Sequence, residues 1–148
     1  MRNVAVLVLL LSSVACSGRT VPATLDPHAD ACGSCRMIVA DQHFASQIVA
    51  PYQEPRFFDD FGCLQRHLSR TTLPPGAVIF VADHRTGEWI RADSAMYSRV
   101  AAIAAPMGSH IIAHASLASR QADPDAASAA YVDRQSLFAE TPRKESSR

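Results

Sequence analysis

What this 148-residue chain lacks narrows its chemistry early. It has no surplus of either charge. Fourteen Lys and Arg stand against fourteen Asp and Glu, so there is no basic field to hold nucleic acid through counterion release. It has no second Cys-x-x-Cys pair beside the one at Cys32 and Cys35, which excludes a closed four-cysteine zinc site within one chain. Neither a nucleophile elbow nor a Gly-rich phosphate loop is found. The unbroken apolar run Val4 to Leu11 is too short to span a bilayer. The length leaves no room for a large two-domain enzyme. What remains chemically unusual is four Cys, four Met and six His.

The first sixteen residues read as a targeting signal. Arg2, the apolar run, and Ser12, Ser13, Val14 and Ala15 ahead of Cys16 have the order of a secretory signal. A Cys placed directly after small residues resembles a bacterial lipobox, although Ser13 stands where that pattern usually has Leu. The expected organisation is a signal peptide over 1–15, a lipid-anchored tether over 16–30, a domain over 31–140 and a disordered tail over 141–148. The protein is therefore expected outside the cytoplasm, held to a bacterial membrane and facing the periplasm or cell exterior; secretion with an unmodified Cys16 is the alternative. Lipidation leaves Cys32, Cys35 and Cys63, an odd number where thiols tend to pair.

The remaining pattern predicts a mixed α+β domain. Met37 to Ala40 and Phe44 to Ala50 suggest a hairpin, and Arg56 to Phe58 a further strand. Asp59 to Ser69 carries Phe61, Leu64 and Leu68 at helical spacing with Asp59 as N-cap. Val78 to Ala82 and Glu88 to Arg91 flank a turn at Arg85, Thr86 and Gly87. Asp93 is placed to cap a helix over Ser94 to Tyr97, Val100 to Ala105 is ambiguous, and His110 to Ala115 suits a strand. Asp123 and Pro124 suit the start of a helix reaching Phe138. Trp89 and Tyr97 read as core.

Cys32-Gly33-Ser34-Cys35-Arg36-Met37 gathers three sulfurs within six residues. A tight turn brings the thiols together, and a following strand would put Cys35 and Met37 on one face. Thiolate with thioether is a soft donor set that selects Cu(I). A structural disulfide and thiol redox chemistry stay open, the latter weakened because no helix is expected after the pair. Pro106-Met107-Gly108 is a turn that frees a second thioether, with His110 three residues on; His110 and His114 share a face. Asp60, Cys63 and His67 fall on one arc of the predicted helix, where Cys63 reads first as a small buried hydrophobe and Asp60 as a first-turn carboxylate.

With these residues in view, the chain resembles the NosL family, the nitrous-oxide reductase accessory lipoproteins that act as copper chaperones. The likeness runs from Cys16 to about Phe138. It rests on Cys16, the Cys32 to Met37 cluster, the Arg56-Phe57-Phe58-Asp59-Asp60 run leading into Cys63 and Leu64, Gly87-Glu88-Trp89-Ile90, and Pro106-Met107-Gly108. The resemblance implies two small ββαβ units packed together, related to part of organomercurial lyase. It implies no enzymatic activity: a lipoprotein binds Cu(I) and passes it from or to a copper-receiving enzyme or membrane copper transporter. Carried over residue by residue, the metal set is Cys35, Met37 and Met107 with Cys32 as the paired thiol, while the residue pattern itself adds His110, Asp60 and Cys63 as secondary candidates. Many members have Gly where this chain has Arg36. The alternatives are a thiol enzyme of the organomercurial-lyase type with Asp60 as proton donor, and a lipoprotein with only a structural disulfide.

Overall fold

The computed structural model describes residues 20–139; the expected signal peptide 1–15, the expected lipidation at Cys16 and the expected tail 141–148 lie outside the described residues. Two antiparallel sheets form the architecture. The first contains β1 (Ser46–Val49), β2 (Arg56–Phe58), β3 (Val78–Ala82) and β4 (Trp89–Arg91) in the order β2-β1-β3-β4. The second contains β5 (Met96–Arg99), β6 (Ile111–His114) and β7 (Ala130–Val132) in the order β6-β5-β7. Helix α1 (Phe61–Leu68) lies between β2 and β3 in the chain, α2 (Leu117–Gln121) between β6 and β7, and α3 (Arg134–Ala139) follows β7. The order β-β-α-β thus occurs twice, each time with the first strand of the unit between the other two.

The central strand β1 is buried along most of its length even though it includes Ser46 and Gln47. Gln47 is tolerated there because its amide pairs like a neighbouring strand: Oε1 accepts from Ala23 N at 2.8 Å and Nε2 donates to Ala23 O at 3.1 Å. With Leu25 buried in the core, the segment expected to be a free tether is fastened to the domain from Ala23 onwards.

Several local expectations are corrected by tertiary pairing. Met37 to Ala40 does not form a hairpin with Phe44 to Ala50; Ile38 bridges Ala31 instead, and Gln42–Phe44 is a single 3-10 turn capped by Asp41. The α1 N-cap is Asp60 rather than Asp59. Asp93 caps no helix. It pairs with Arg91 at 2.6 Å, and Met96–Arg99 becomes β5, which gains a hydrogen-bonded ladder on both edges. Asp123 caps only the 3-10 turn Pro124–Ala126, after which the chain turns into β7 and α3 rather than continuing as one helix.

The halves meet in an aromatic cluster. The Phe61 ring of α1 lies 5.3 Å from Tyr97 of β5 and 5.5 Å from Phe138 of α3, tilted or edge-on. Their backbones meet where Asp83, just after β3, bridges Ala113 of β6 in parallel and His84 N donates to Ala113 O at 2.8 Å. The Asp83 carboxylate closes this seam. Oδ1 accepts from Arg85 N and Thr86 N, and Oδ2 accepts from Ala115 N at 2.8 Å and Ser119 Oγ at 2.7 Å. Burial by itself would raise the carboxyl pKa, but the bonds from Ala115, Ser119, Thr86 and Arg85 outweigh it and hold it below the ordinary carboxylate range.

Replacing Asp83 with Asn turns an amide NH2 towards two donors, and the expected cost is about 3 kcal/mol of unfolding free energy in urea titrations. A lowered folded-state pKa stabilises the fold at pH above the unfolded value of about 4, and that contribution is lost as pH falls through the folded value. The wild type is therefore expected to lose more stability than the Asn variant between neutral pH and acid; equal losses would remove Asp83 from this role.

Candidate metal centre

The Cys32 to Met37 segment is a closed turn and not the start of a strand. Cys32 N donates to Met37 O at 2.7 Å, Arg36 N to Cys32 O at 3.0 Å, and the Ala31–Ile38 bridge shuts the loop. Gly33 docks the turn onto the first sheet. Its N–H donates to Phe57 O at 2.8 Å, and a Cβ at this position would come within 2.7 Å of Arg56 Cγ. Arg36 holds φ at +69°, in the left-handed region that favours glycine.

This geometry surrounds the Cys32 sulfur with backbone donors. Ser34 N lies 3.4 Å away, Cys35 N 3.5 Å and Asp59 N 3.4 Å. The third donor comes from the residue before the α1 cap, so the Arg56–Asp60 run and the cysteine turn form one local unit. The same helix supplies Cys63, whose sulfur lies with those of Cys32 and Cys35 in a triad with all three atoms within 4.8 Å of one another. All three are free thiols; Cys32 and Cys63 are fully buried and Cys35 is half-buried.

The three sulfurs differ in charge preference. Burial opposes ionisation of Cys32, but the N–H groups of Cys35, Ser34 and Asp59 outweigh it and lower its pKa. Burial pushes the Cys35 thiol up, and a charge on Cys32 adds to the shift. Cys63 is pushed up strongly, first by burial and then by Cys32. Of the three, Cys32 is thus the sulfur that gives up its proton most readily, and a soft cation completes the set by displacing the thiol protons.

The other sulfur and nitrogen candidates divide. Met37 is 60% exposed at the rim of the turn, and its backbone N–H supports the Cys35 sulfur. Met107 is partly buried against the core, and its loop is tied to the head of α1. Asp60, fully buried, accepts from Cys63 N at 3.0 Å through Oδ1 and from Met107 N at 3.2 Å and Ser109 N at 3.1 Å through Oδ2. Gly62 lets the loop approach, since a Cβ there would lie 3.2 Å from Ser109 Cβ. Asp60 thus ties the backbone of the Met107 loop to the head of the helix that carries Cys63. His110 is not gathered into the triad: its backbone has φ +56° and its Nδ1 lies 3.1 Å from Ile103 O. His67 stacks on Phe58 at 5.0 Å, and His114 faces Asp123.

Asp59, as an amide donor to a sulfur, is a contributor that side-chain pattern could not reveal, because the contact is made by backbone. Compared with family models, curated protein sequences and solved structures, the chain matches none. Among the described residues no helix is long and apolar enough to cross a membrane.

Asp60→Asn keeps an N-cap oxygen for Cys63 N but sets an NH2 against the two loop amides. The expected result is a loss of about 2 kcal/mol with faster hydrogen exchange at the Met107 and Ser109 amides and retained protection at Cys63. Unchanged exchange at 107 and 109 would show that the carboxylate does not hold the loop.

Proposed function

We propose that this protein is a non-enzymatic Cu(I) carrier of the NosL type, lipid-anchored through Cys16 outside the cytoplasm, which exchanges copper with a membrane copper transporter or a copper-receiving enzyme such as nitrous-oxide reductase. The observation that carries the reading is the triad of Cys32, Cys35 and Cys63 sulfurs within 4.8 Å of one another, with the backbone N–H groups around Cys32 lowering its pKa. Among the described residues no fourth Cys, His, Asp or Glu joins that group, whereas structural zinc sites are closed by four ligands. Three soft donors suit Cu(I), which accepts low coordination, and Met37 and Met107 are the thioethers available to extend the set.

The degree of exposure fits a carrier. Cys35 is half-buried beside the exposed Met37, so a partner's ligands reach the ion from that side while Cys32 and Cys63 hold it from within. Ligand exchange then needs no unfolding. The repeated β-β-α-β order supports the NosL-like and organomercurial-lyase-like arrangement that the sequence resemblance implies.

The lyase-type alternative requires an acid beside the thiols. Asp60 is poorly suited, since both of its oxygens accept backbone N–H groups. Asp59, buried and pushed up first by burial and then by the Asp60 charge, is the carboxyl that such chemistry would have to use. Release of hydrocarbon from an organomercurial, abolished in Asp59→Asn, would favour that reading.

The reduced protein is expected to take up one Cu(I) in chelator-competition titrations and to prefer it to Zn(II). Cys35→Ser and Cys63→Ser should each weaken Cu(I) binding by more than about tenfold. Equal or tighter Zn(II) binding would overturn the copper reading, and full affinity in Cys63→Ser would return that residue to core packing.

A further inference from the structure

A second group of donors lies away from the sulfurs, on the seam between the sheets. His84 follows β3, His114 ends β6, and Asp123 caps the 3-10 turn that precedes β7. Each comes from a different element and is almost wholly buried, with exposures of 9%, 0% and 3%. Asp123 Oδ2 lies 2.8 Å from His84 Nδ1 and 2.8 Å from His114 Nε2, and the three donor atoms all fall within 4.8 Å of one another.

Two features separate this group from an ordinary buried hydrogen-bond cluster. His114 Nδ1 is buried with no partner, so all of the ring's polar function is directed through Nε2 at the other two donors. The donors are also set from behind. Asp123 Oδ1 accepts from Asp125 N at 3.0 Å, which leaves Oδ2 to face the imidazoles. Asp83 accepts from Arg85 N and Thr86 N just after His84, and from Ala115 N just after His114, so one carboxylate fixes the backbone beside both histidines. Such outer support is what keeps metal-ligating imidazoles in place.

We propose that His84, His114 and Asp123 form a second metal site, for a borderline divalent cation of the Zn(II) class, which clasps the two sheets. Two imidazoles and a carboxylate are the donors such ions take, and they offer nothing that favours Cu(I). Bonds of about 2.0 Å in tetrahedral geometry separate donor atoms by about 3.3 Å, so the two 2.8 Å contacts need to open by only about 0.5 Å to admit an ion. To take the ion, each imidazole presents its lone pair at His84 Nδ1 or His114 Nε2 with the ring proton on its other nitrogen, so no proton is lost and no oxidation state changes. The three protein donors leave the fourth position of the ion to water, and because they come from both sheets the ion is resident, whereas the sulfur-bound ion is cargo.

Co(II) added to the reduced protein is a probe that separates the two sites without relying on the copper reading. Thiolate ligation produces a near-ultraviolet sulfur-to-cobalt band, whereas nitrogen and oxygen ligation produces visible absorption without it. The expected result is one Co(II) bound without the sulfur band, paramagnetically shifted proton signals from two histidine rings, displacement by Zn(II), and a higher unfolding midpoint with Zn(II) present. His84→Gln and Asp123→Asn should each weaken this uptake by at least about tenfold without changing the number of titratable thiols. Asn remains a good N-cap, so Asp123→Asn preserves the turn. If both variants fail to fold, the wild-type spectra decide. Absence of two shifted histidine rings, or uptake accompanied only by the sulfur band, overturns the proposal, as does unchanged uptake in both folded variants.

Discussion

The Asp83 carboxylate, buried where β3 meets β6, is the constraint on which the rest of the structure depends. A buried ion is costly unless its oxygens are filled, and here four donors fill them from both halves of the chain. That requirement sets the relative position of the two sheets. Once the sheets are held, the ring of Phe61 can pack on Tyr97 and Phe138, and α1 is trapped between the units. The helix in turn carries the Asp60 cap, Cys63 and the attachment of the Met107 loop. The sulfur centre therefore depends on a polar contact that shares no atom with it.

The two donor clusters show the same physics put to different uses. Both sit in protein interior where unpaired polar groups are penalised, and in both, backbone N–H groups do much of the holding. At Cys32 these groups stabilise a charged sulfur directly. At His84 and His114 they act through Asp83 on the backbone that carries the rings. Softness of the donors then separates the ions each cluster suits: sulfur for a monovalent soft cation, imidazole and carboxylate for a borderline divalent one.

Where signals were local, the sequence was readable. The turn residues Arg85 to Gly87 between two apolar runs, the Phe61, Leu64 and Leu68 stripe, and the Cys-x-x-Cys pair each stand in the structure as a β3–β4 connection, a helix and a sulfur-bearing turn. What failed was set by distant partners. Asp93 and Asp123 are both good helix caps in isolation, but Met96–Arg99 is claimed by two neighbouring strands and Asp123 by two histidines from other elements. Cys63 reads as packing from its helix arc, and only the folding of the Cys32 turn against β2 brings its sulfur to the other two. The His84 partnership could not be seen from spacing at all, since 39 residues separate it from Asp123.

The fastening of Ala23 to Gln47 also bears on reach. With lipid on Cys16, as proposed, only six residues, Ser17 to Pro22, lie between the anchor and Ala23, where the chain is held to the domain. Fully extended, that leash measures no more than about 25 Å, less than the thickness of a bilayer with its headgroups. Such a carrier works at close quarters and along the plane of the membrane. It meets partners by lateral diffusion, and a recipient whose metal site stands far above the surface must bring that site down to it.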